Sequence, residues 1–167
     1  MNRNIEIKAR LRDRGAVLAA LAALAARDDG IETQHDRFWS APHARLKLRT
    51  SSRDGASLLA YRRADASGLR SSDYERVAVA APEALARLLD AALVPAGVVR
   101  KRRHLFHVDN IRVHLDEVES LGQFIELEAV VDAAHPEPLC RERAAALLER
   151  FGIVPPDIVA VAYVDLR

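Results

Sequence analysis

Polar and apolar residues alternate along most of the chain. Runs with a period of two occupy Ile5 to Leu11, Thr33 to Trp39, Ala44 to Thr50, Ser57 to Arg63, Asp73 to Ala80, Val98 to Val108, Ile111 to Glu119 and Gly122 to Val131. That spacing sends alternate side chains to opposite faces of a strand, so it predicts eight strands. Helical spacing appears at Arg14 to Ala26, at Pro82 to Leu93 with proline in the first turn, and at Pro138 to Phe151, and a short turn and helix follow Pro155 and Pro156. Asp109 and Asn110 separate two strand runs in the manner of a tight hairpin, and the next strand leaves the turn around Gly122. Sequential strands are therefore expected to pair antiparallel. The sequence contains no long Pro/Gly/Ser linker and no internal repeat.

The polar faces of these strands are unusual. In NIEIKAR, Asn4 to Arg10, the residues Glu6, Lys8 and Arg10 share one face while Ile5, Ile7 and Ala9 share the other. Arg45, Lys47 and Arg49 alternate with leucines, and Arg112, His114 and Asp116 alternate with Ile111, Val113 and Leu115. In RKRR, Lys101 and Arg103 fall on one face and Arg100 and Arg102 on the other; in FIELEAVV, Glu126 and Glu128 share a face. A sheet with one solvated face explains any one of these strands. Such a face normally mixes Ser, Thr and Gln with charges of both signs, whereas here bases dominate some strands and carboxylates others. Segregated charge of that kind suggests a site.

The helices need an apolar surface to cover, and the sheet supplies it if it curls with its charged face inward. The fold class expected is thus α+β, an eight-stranded antiparallel β barrel closed as a tunnel, with a polar interior and the helices packed outside. Bases crowded into a lumen repel one another unless a polyanion or nearby carboxylates offset them, so the expected ligand is densely negative, as a triphosphate is. Carboxylates beside phosphates then need a hard divalent cation, Mg²⁺ or Mn²⁺, to bridge the two sets of oxygens.

Composition narrows the picture further. A chain of 167 residues, 50% hydrophobic and 29% charged, fits a single globular domain over 1–167. A net charge of +1 gives no support to a nucleic-acid or membrane-surface role. The lone Cys140 cannot form an internal disulfide and reads as a packed thiol, and Arg3, Glu6 and Lys8 interrupt any leader-like apolar run, so a cytoplasmic location is expected. The stretch Ala16 to Ala26 is too short to cross a membrane. The six histidines include no HExxH, His104 and His107 point to opposite faces of their strand, and no GxSxG is present, which argues against a zinc or serine-nucleophile centre. Only three of the 25 basic residues are lysine, namely Lys8, Lys47 and Lys101, and all three lie on the charged faces.

These motifs resemble those of the CYTH, or triphosphate tunnel metalloenzyme, superfamily, and most of all its class IV adenylate cyclase-like group. NIEIKAR resembles the N-terminal ExExK signature, and RLKLRT, YRR, GLRSSDY, VVRKRRHLF, HLDEVESLGQFIELE and the closing AYVDLR follow in the family's order. The resemblance implies that Glu6, Asp116, Glu126 and Glu128 bind Mg²⁺ or Mn²⁺. It implies that Lys8, Lys47, Arg49, Arg63, Arg70, Lys101 and Arg103 bind phosphate oxygens, with Glu6, Lys8, Lys101 and Arg103 nearest the chemistry. By the same resemblance Tyr61, Tyr74 and His114 are further candidates for tunnel hydrogen bonding. Two departures stand out: Asn4 replaces the first glutamate of ExExK, and Ala162 stands where serine is expected.

The activity implied first is cyclisation of ATP to cyclic AMP and pyrophosphate. Hydrolysis of tripolyphosphate or an organic triphosphate such as thiamine triphosphate is the alternative. A non-catalytic polyphosphate- or nucleotide-binding module is the third reading, because Asn4 weakens the metal set. A homodimer is compatible with the family, and neither a membrane nor a nucleic acid is an expected partner.

Overall fold

All eight strands form in the computed structural model, which describes residues 2–63 and 68–166 without the side chain of Arg63. They are β1 Asn2–Arg10, β2 Arg27–Ser40, β3 Arg45–Ser51, β4 Gly55–Arg63, β5 Arg70–Ala78, β6 Val94–Val108, β7 Ile111–Val118 and β8 Gly122–Val130. They close into one barrel in the order β1-β5-β4-β3-β2-β6-β7-β8, and every neighbouring pair is antiparallel. The β6–β7 hairpin turns through Asp109 and Asn110 as its sequence predicts, with Val108 opposite Ile111 and Asp109 at φ 52°.

Alternation decides which side of the wall each residue takes. Ile5, Ile7 and Ala9 of β1 point outward and are buried beneath helices, together with Val113 and Leu115 of β7 and Ile125, Leu127 and Ala129 of β8. Helix α1 (Arg14–Ala23) brings Val17 and Leu21 onto this surface, and α3 (Glu137–Arg150) brings Cys140, Ala144 and Leu147, a stripe at spacings of four and three. Helix α2 (Pro82–Ala92) sets Ala86 and Leu89 against Trp39 and Leu48. The hydrophobic core therefore lies outside the barrel, between wall and helices, and each fully covered Leu, Ile or Val there contributes about 1.5–3 kcal/mol. That arrangement leaves the inside of the barrel to polar side chains.

Several boundaries differ from the pattern. Helix α1 stops at Ala23 rather than Ala26, because Ala25 takes a left-handed conformation (φ 51°) that turns the chain into β2. Its other end is held by Asp13, whose carboxylate accepts a hydrogen bond from the Ala16 amide at 2.8 Å. Asp13→Ala is expected to cost about 1 kcal/mol, read as a lower urea midpoint at unchanged slope. Strand β2 begins at Arg27 rather than Thr33: Arg27–Asp28–Asp29–Gly30 looks like a turn, but Gly30 at φ 81° forms a bulge that lets the strand continue along β6. Strands β5 and β6 likewise start a few residues early.

After α3 the chain crosses one end of the barrel through the 3₁₀ turns Pro155–Asp157 and Tyr163–Leu166. The Val159 amide donates to the Lys8 carbonyl at 2.8 Å, and Arg12 pairs with the buried Asp157 at 2.5 Å. Gly97 of β6 sits at φ 133°, where a Cβ would lie 2.7 Å from Val164 Cγ2, so a larger residue there would lift the segment off the barrel. Among the described residues no helix is long and apolar enough to cross a membrane.

Candidate active site in the barrel lumen

The inward faces of all eight strands, joined by Ala162 and Tyr163, enclose a cavity of about 370 Å³. The C-terminal segment crosses the end where β1 finishes, and Asn2, Asp54 and Arg76 stand exposed at the other. Side chains on the wall form three ionic groups and one contact between carboxylate and base, each the product of strand register.

Asp116 anchors the first group. It is 0% exposed, and Lys101 Nζ (3.1 Å), Arg103 Nε and Nη2 (2.6 and 2.7 Å) and the Tyr163 hydroxyl (2.9 Å) all donate to its two oxygens. Burial alone would raise its pKa, but Arg103 and Lys101 hold the carboxyl far below the usual range. The same burial lowers the Lys101 ammonium, aided by Arg103, and pushes the Tyr163 hydroxyl well up, aided by Asp116. Lys8 Nζ lies 4.1 Å and Lys101 Nζ 5.1 Å from the centre of the Tyr163 ring, so both ammonium groups are within cation–π reach of it.

Asp36 of β2 organises the second group. Arg49, directly opposite on β3, donates to both its oxygens at 2.7 and 2.6 Å, and Lys47 Nζ stands 3.7 Å away. Burial and the neighbouring Arg49 lower the Lys47 pKa from 10.5 to about 7, with Asp36 opposing. Lys47 thus exchanges its proton near neutral pH, unlike an ordinary lysine.

The third group joins β7 to β8. Arg103 Nη2 donates to Glu126 Oε2 at 2.8 Å, and Arg112 Nη2 forms an ion pair with Glu128 Oε2 at 2.8 Å. His114 lies directly opposite Glu126 and is 4% exposed; burial and Arg103 lower its pKa. One ligand atom from each of His114, Glu126 and Glu128 can be chosen so that all lie within 4.8 Å of one another. Across the seam, Lys8 is opposite Glu126 and Glu6 opposite Glu128, while Arg70 Nε donates to Glu6 Oε1 at 3.3 Å.

The CYTH domain model matches residues 2–163. The chain belongs to the CYTH domain family. Over 69 residues it is 29% identical to a Methanocaldococcus jannaschii protein named "Putative adenylate cyclase", an alignment that spans 41% of this chain and only 39% of that relative. Among solved structures, the PH1012 protein of Pyrococcus horikoshii superposes with a TM-score of 0.85 at 24% identity, over 98% of both chains. A putative adenylate cyclase from Vibrio parahaemolyticus gives 0.77 at 19% identity over 98% of this chain and 96% of that one. A Hippeastrum protein described as a putative adenylyl cyclase with a dominant triphosphatase activity gives 0.63 at 18%, over 97% and 91%. At these identities the likeness is one of fold.

Of the residues expected in this CYTH lumen, Glu6, Lys8, Lys47, Arg49, Tyr61, Tyr74, Lys101, Arg103, His114, Glu126 and Glu128 all line the cavity. Two others do not reach it. Asp116, expected to bind metal, spends both oxygens on Lys101, Arg103 and Tyr163. Arg70, expected to bind phosphate, is buried beneath the C-terminal segment, where its Nη1 donates to the Ala160 carbonyl at 2.7 Å. Both act as supports for the residues that line the wall. The side chain of Arg63 lies outside the described residues.

Arg100 and Arg102 face outward beside Glu119 and Glu117, at 3.6 and 4.0 Å, as the alternation in RKRR requires. The lumen also holds Glu32, Asp36, Arg112 and Tyr163, to which the sequence motifs assign no role. Glu32 and Asp36 alternate with Gln34 on one face of β2; Asp36 lies within the run Thr33 to Trp39, and Glu32 is found by extending that strand toward Arg27. Arg112 shares the face of His114, and only the path of the C-terminal segment reveals Tyr163.

Proposed function

We propose that the lumen is the active site of a metal-dependent phosphohydrolase that takes a triphosphate terminal phosphate first. The observation that carries this reading is the combination of shape and lining. A cavity of about 370 Å³ is crossed at one end by the C-terminal segment and walled mainly by ionic and polar groups. Its few aliphatic and phenyl side chains, Phe38, Leu59 and Leu105, come from three different strands. The family model and the relatives' names support triphosphate chemistry in general, and the lining favours a ligand that is nearly all phosphate.

In this reading Lys8, Arg49, Lys101 and Arg103 hold phosphate oxygens, and their buried anions Asp36 and Asp116 fix where the donors point. Glu126 and Glu128 suit a divalent cation, since each faces the lumen and spends only Oε2 on a guanidinium. Such a cation, when bound, offsets charge on the transferring phosphoryl group. Lys47 accepts the proton of the attacking water, the new O–P bond forms at the terminal phosphorus, and the bridging P–O bond breaks to release the remaining diphosphate with its electron pair.

Purified protein incubated with Mg²⁺ or Mn²⁺ and tripolyphosphate is expected to release orthophosphate and pyrophosphate. Its kcat/KM should rise through about pH 7 as Lys47 loses its proton, because the base works only when neutral. The kcat limb should lie higher, since bound polyanion favours the ammonium. Lys47→Arg should abolish the limb with most of the rate. Cyclic AMP and pyrophosphate from ATP would instead establish cyclisation, a second reading favoured by Tyr61 and Tyr74, which lie directly opposite each other on the lumen wall and offer a base a flat surface. Tight binding without turnover would overturn both.

A further inference from the structure

We propose that His114 is a third protein ligand of the lumen's divalent cation, with Glu126 and Glu128, and that the site therefore prefers a borderline transition ion, Mn²⁺ or Co²⁺, over Mg²⁺. The inference rests on the reading of the lumen as a metal-assisted triphosphate site. Its starting point is an orphan: His114 Nδ1 is buried and has no hydrogen-bond partner. It points between the two glutamates, 3.6 Å from Glu126 Oε2 and 3.9 Å from Glu128 Oε1. A buried polar nitrogen without a partner is rare and calls for a reason, and an ion between these groups would supply one.

The surroundings fit that assignment. Arg103 and Arg112 each pair with one oxygen of Glu126 and Glu128, Oε2 in both cases, so among the described residues the second oxygen of each carboxylate carries no guanidinium. One ligand atom from each of the three side chains can be chosen so that all lie within 4.8 Å of one another, a spacing compatible with one shared cation.

The first strand explains why the third ligand comes from β7. Asn4, which stands where the family motif has glutamate, is best oriented with its amide oxygen accepting from Arg112 Nη2 at 2.8 Å and its NH₂ donating to the Arg3 carbonyl at 3.1 Å. That oxygen is thus committed to a guanidinium, and Glu6 on the same strand is paired with Arg70. The donor set moves one strand around the barrel, from carboxylates alone to two carboxylates and an imidazole. Mg²⁺ favours oxygen ligands and sheds water reluctantly, whereas imidazole nitrogen suits later first-row ions.

The test measures binding directly, without turnover. Metal-stripped protein is titrated calorimetrically with MnCl₂, CoCl₂ and MgCl₂, as wild type and as His114→Ala and His114→Gln. Wild type should bind Mn²⁺ and Co²⁺ at least tenfold more tightly than Mg²⁺. Both variants should lose about tenfold for the transition ions and less than threefold for Mg²⁺. Pulsed electron paramagnetic resonance of wild type loaded with Mn²⁺ should show coupling to a histidine nitrogen that shifts on ¹⁵N-histidine labelling, a readout that needs no variant to fold.

Unchanged Mn²⁺ affinity in both variants, or no nitrogen coupling, would overturn the ligand assignment. If Glu126→Gln still abolished metal binding in that case, the metal-assisted reading would survive. Absence of all metal binding while metal-free tripolyphosphate still binds would overturn both.

Discussion

Asp116→Ala is expected to lower the unfolding free energy by about 3–5 kcal/mol, the cost of stripping the partner from buried ions. Asp116 lies behind the lumen wall with no exposed surface, and Lys101, Arg103 and Tyr163 all donate to it. Removal leaves two cations buried within reach of each other, with Glu126 as the remaining partner of Arg103. Urea denaturation at neutral pH measures the loss. Tripolyphosphate should raise the midpoint of the variant more than that of wild type, because the added anion takes over part of the missing charge. A loss below about 1 kcal/mol would show that the bases find another partner and that Asp116 is not the support assigned to it.

The second large effect concerns the rate. Glu126→Gln keeps the shape of the side chain and removes its charge. Metal-assisted charge stabilisation is worth several kcal/mol, and each 1.4 kcal/mol is a factor of ten, so turnover of tripolyphosphate should fall by about 10²–10³. Arg100→Ala, which removes a side chain 61% exposed on the outer face of β6, should leave turnover unaltered and stability within about 0.5 kcal/mol. The reverse outcome would mean that the two faces of β6 have been exchanged.

Much of this architecture is written in the alternation itself. Because the side-chain period of a strand is two, NIEIKAR, RLKLR, RKRR and FIELE each declare which residues face outward and which face inward, and Glu6, Lys8, Lys47, Arg49, Lys101, Arg103, Glu126 and Glu128 line the lumen as that division requires. The three lysines all lie on the lumen wall. Residue identity was less informative about partners. Asp116 and Glu126 look equivalent as carboxylates on adjacent strands, yet one is locked beneath four hydrogen bonds from bases and a phenol while the other faces the cavity. That difference depends on barrel stagger and on where the C-terminal segment lands, both non-local. Glu32 was hidden for a local reason, since Asp-Asp-Gly resembles a turn until Gly30 is seen to bulge, whereas Asp36 lies inside the run Thr33 to Trp39 and its role shows only once Arg49 stands opposite it. His114 read as an accessory hydrogen-bonding group because its missing partner shows only when the opposing strands are in place.

The closure of the barrel has a consequence for how the protein is made. Strand β1, which carries Glu6 and Lys8, pairs with β5 and β8 and with no strand near it in sequence. Loop-closure entropy must be overcome before those contacts form, so the seam is expected to close late and slowly. Until β8 has left the ribosome, the exposed edge of β1 has nothing to bind on that side, and its apolar face of Ile5, Ile7 and Ala9 lacks most of its cover. The strand with the signature motif is therefore both an early product of translation and a late participant in folding, and during that interval it is the segment with most need of a chaperone.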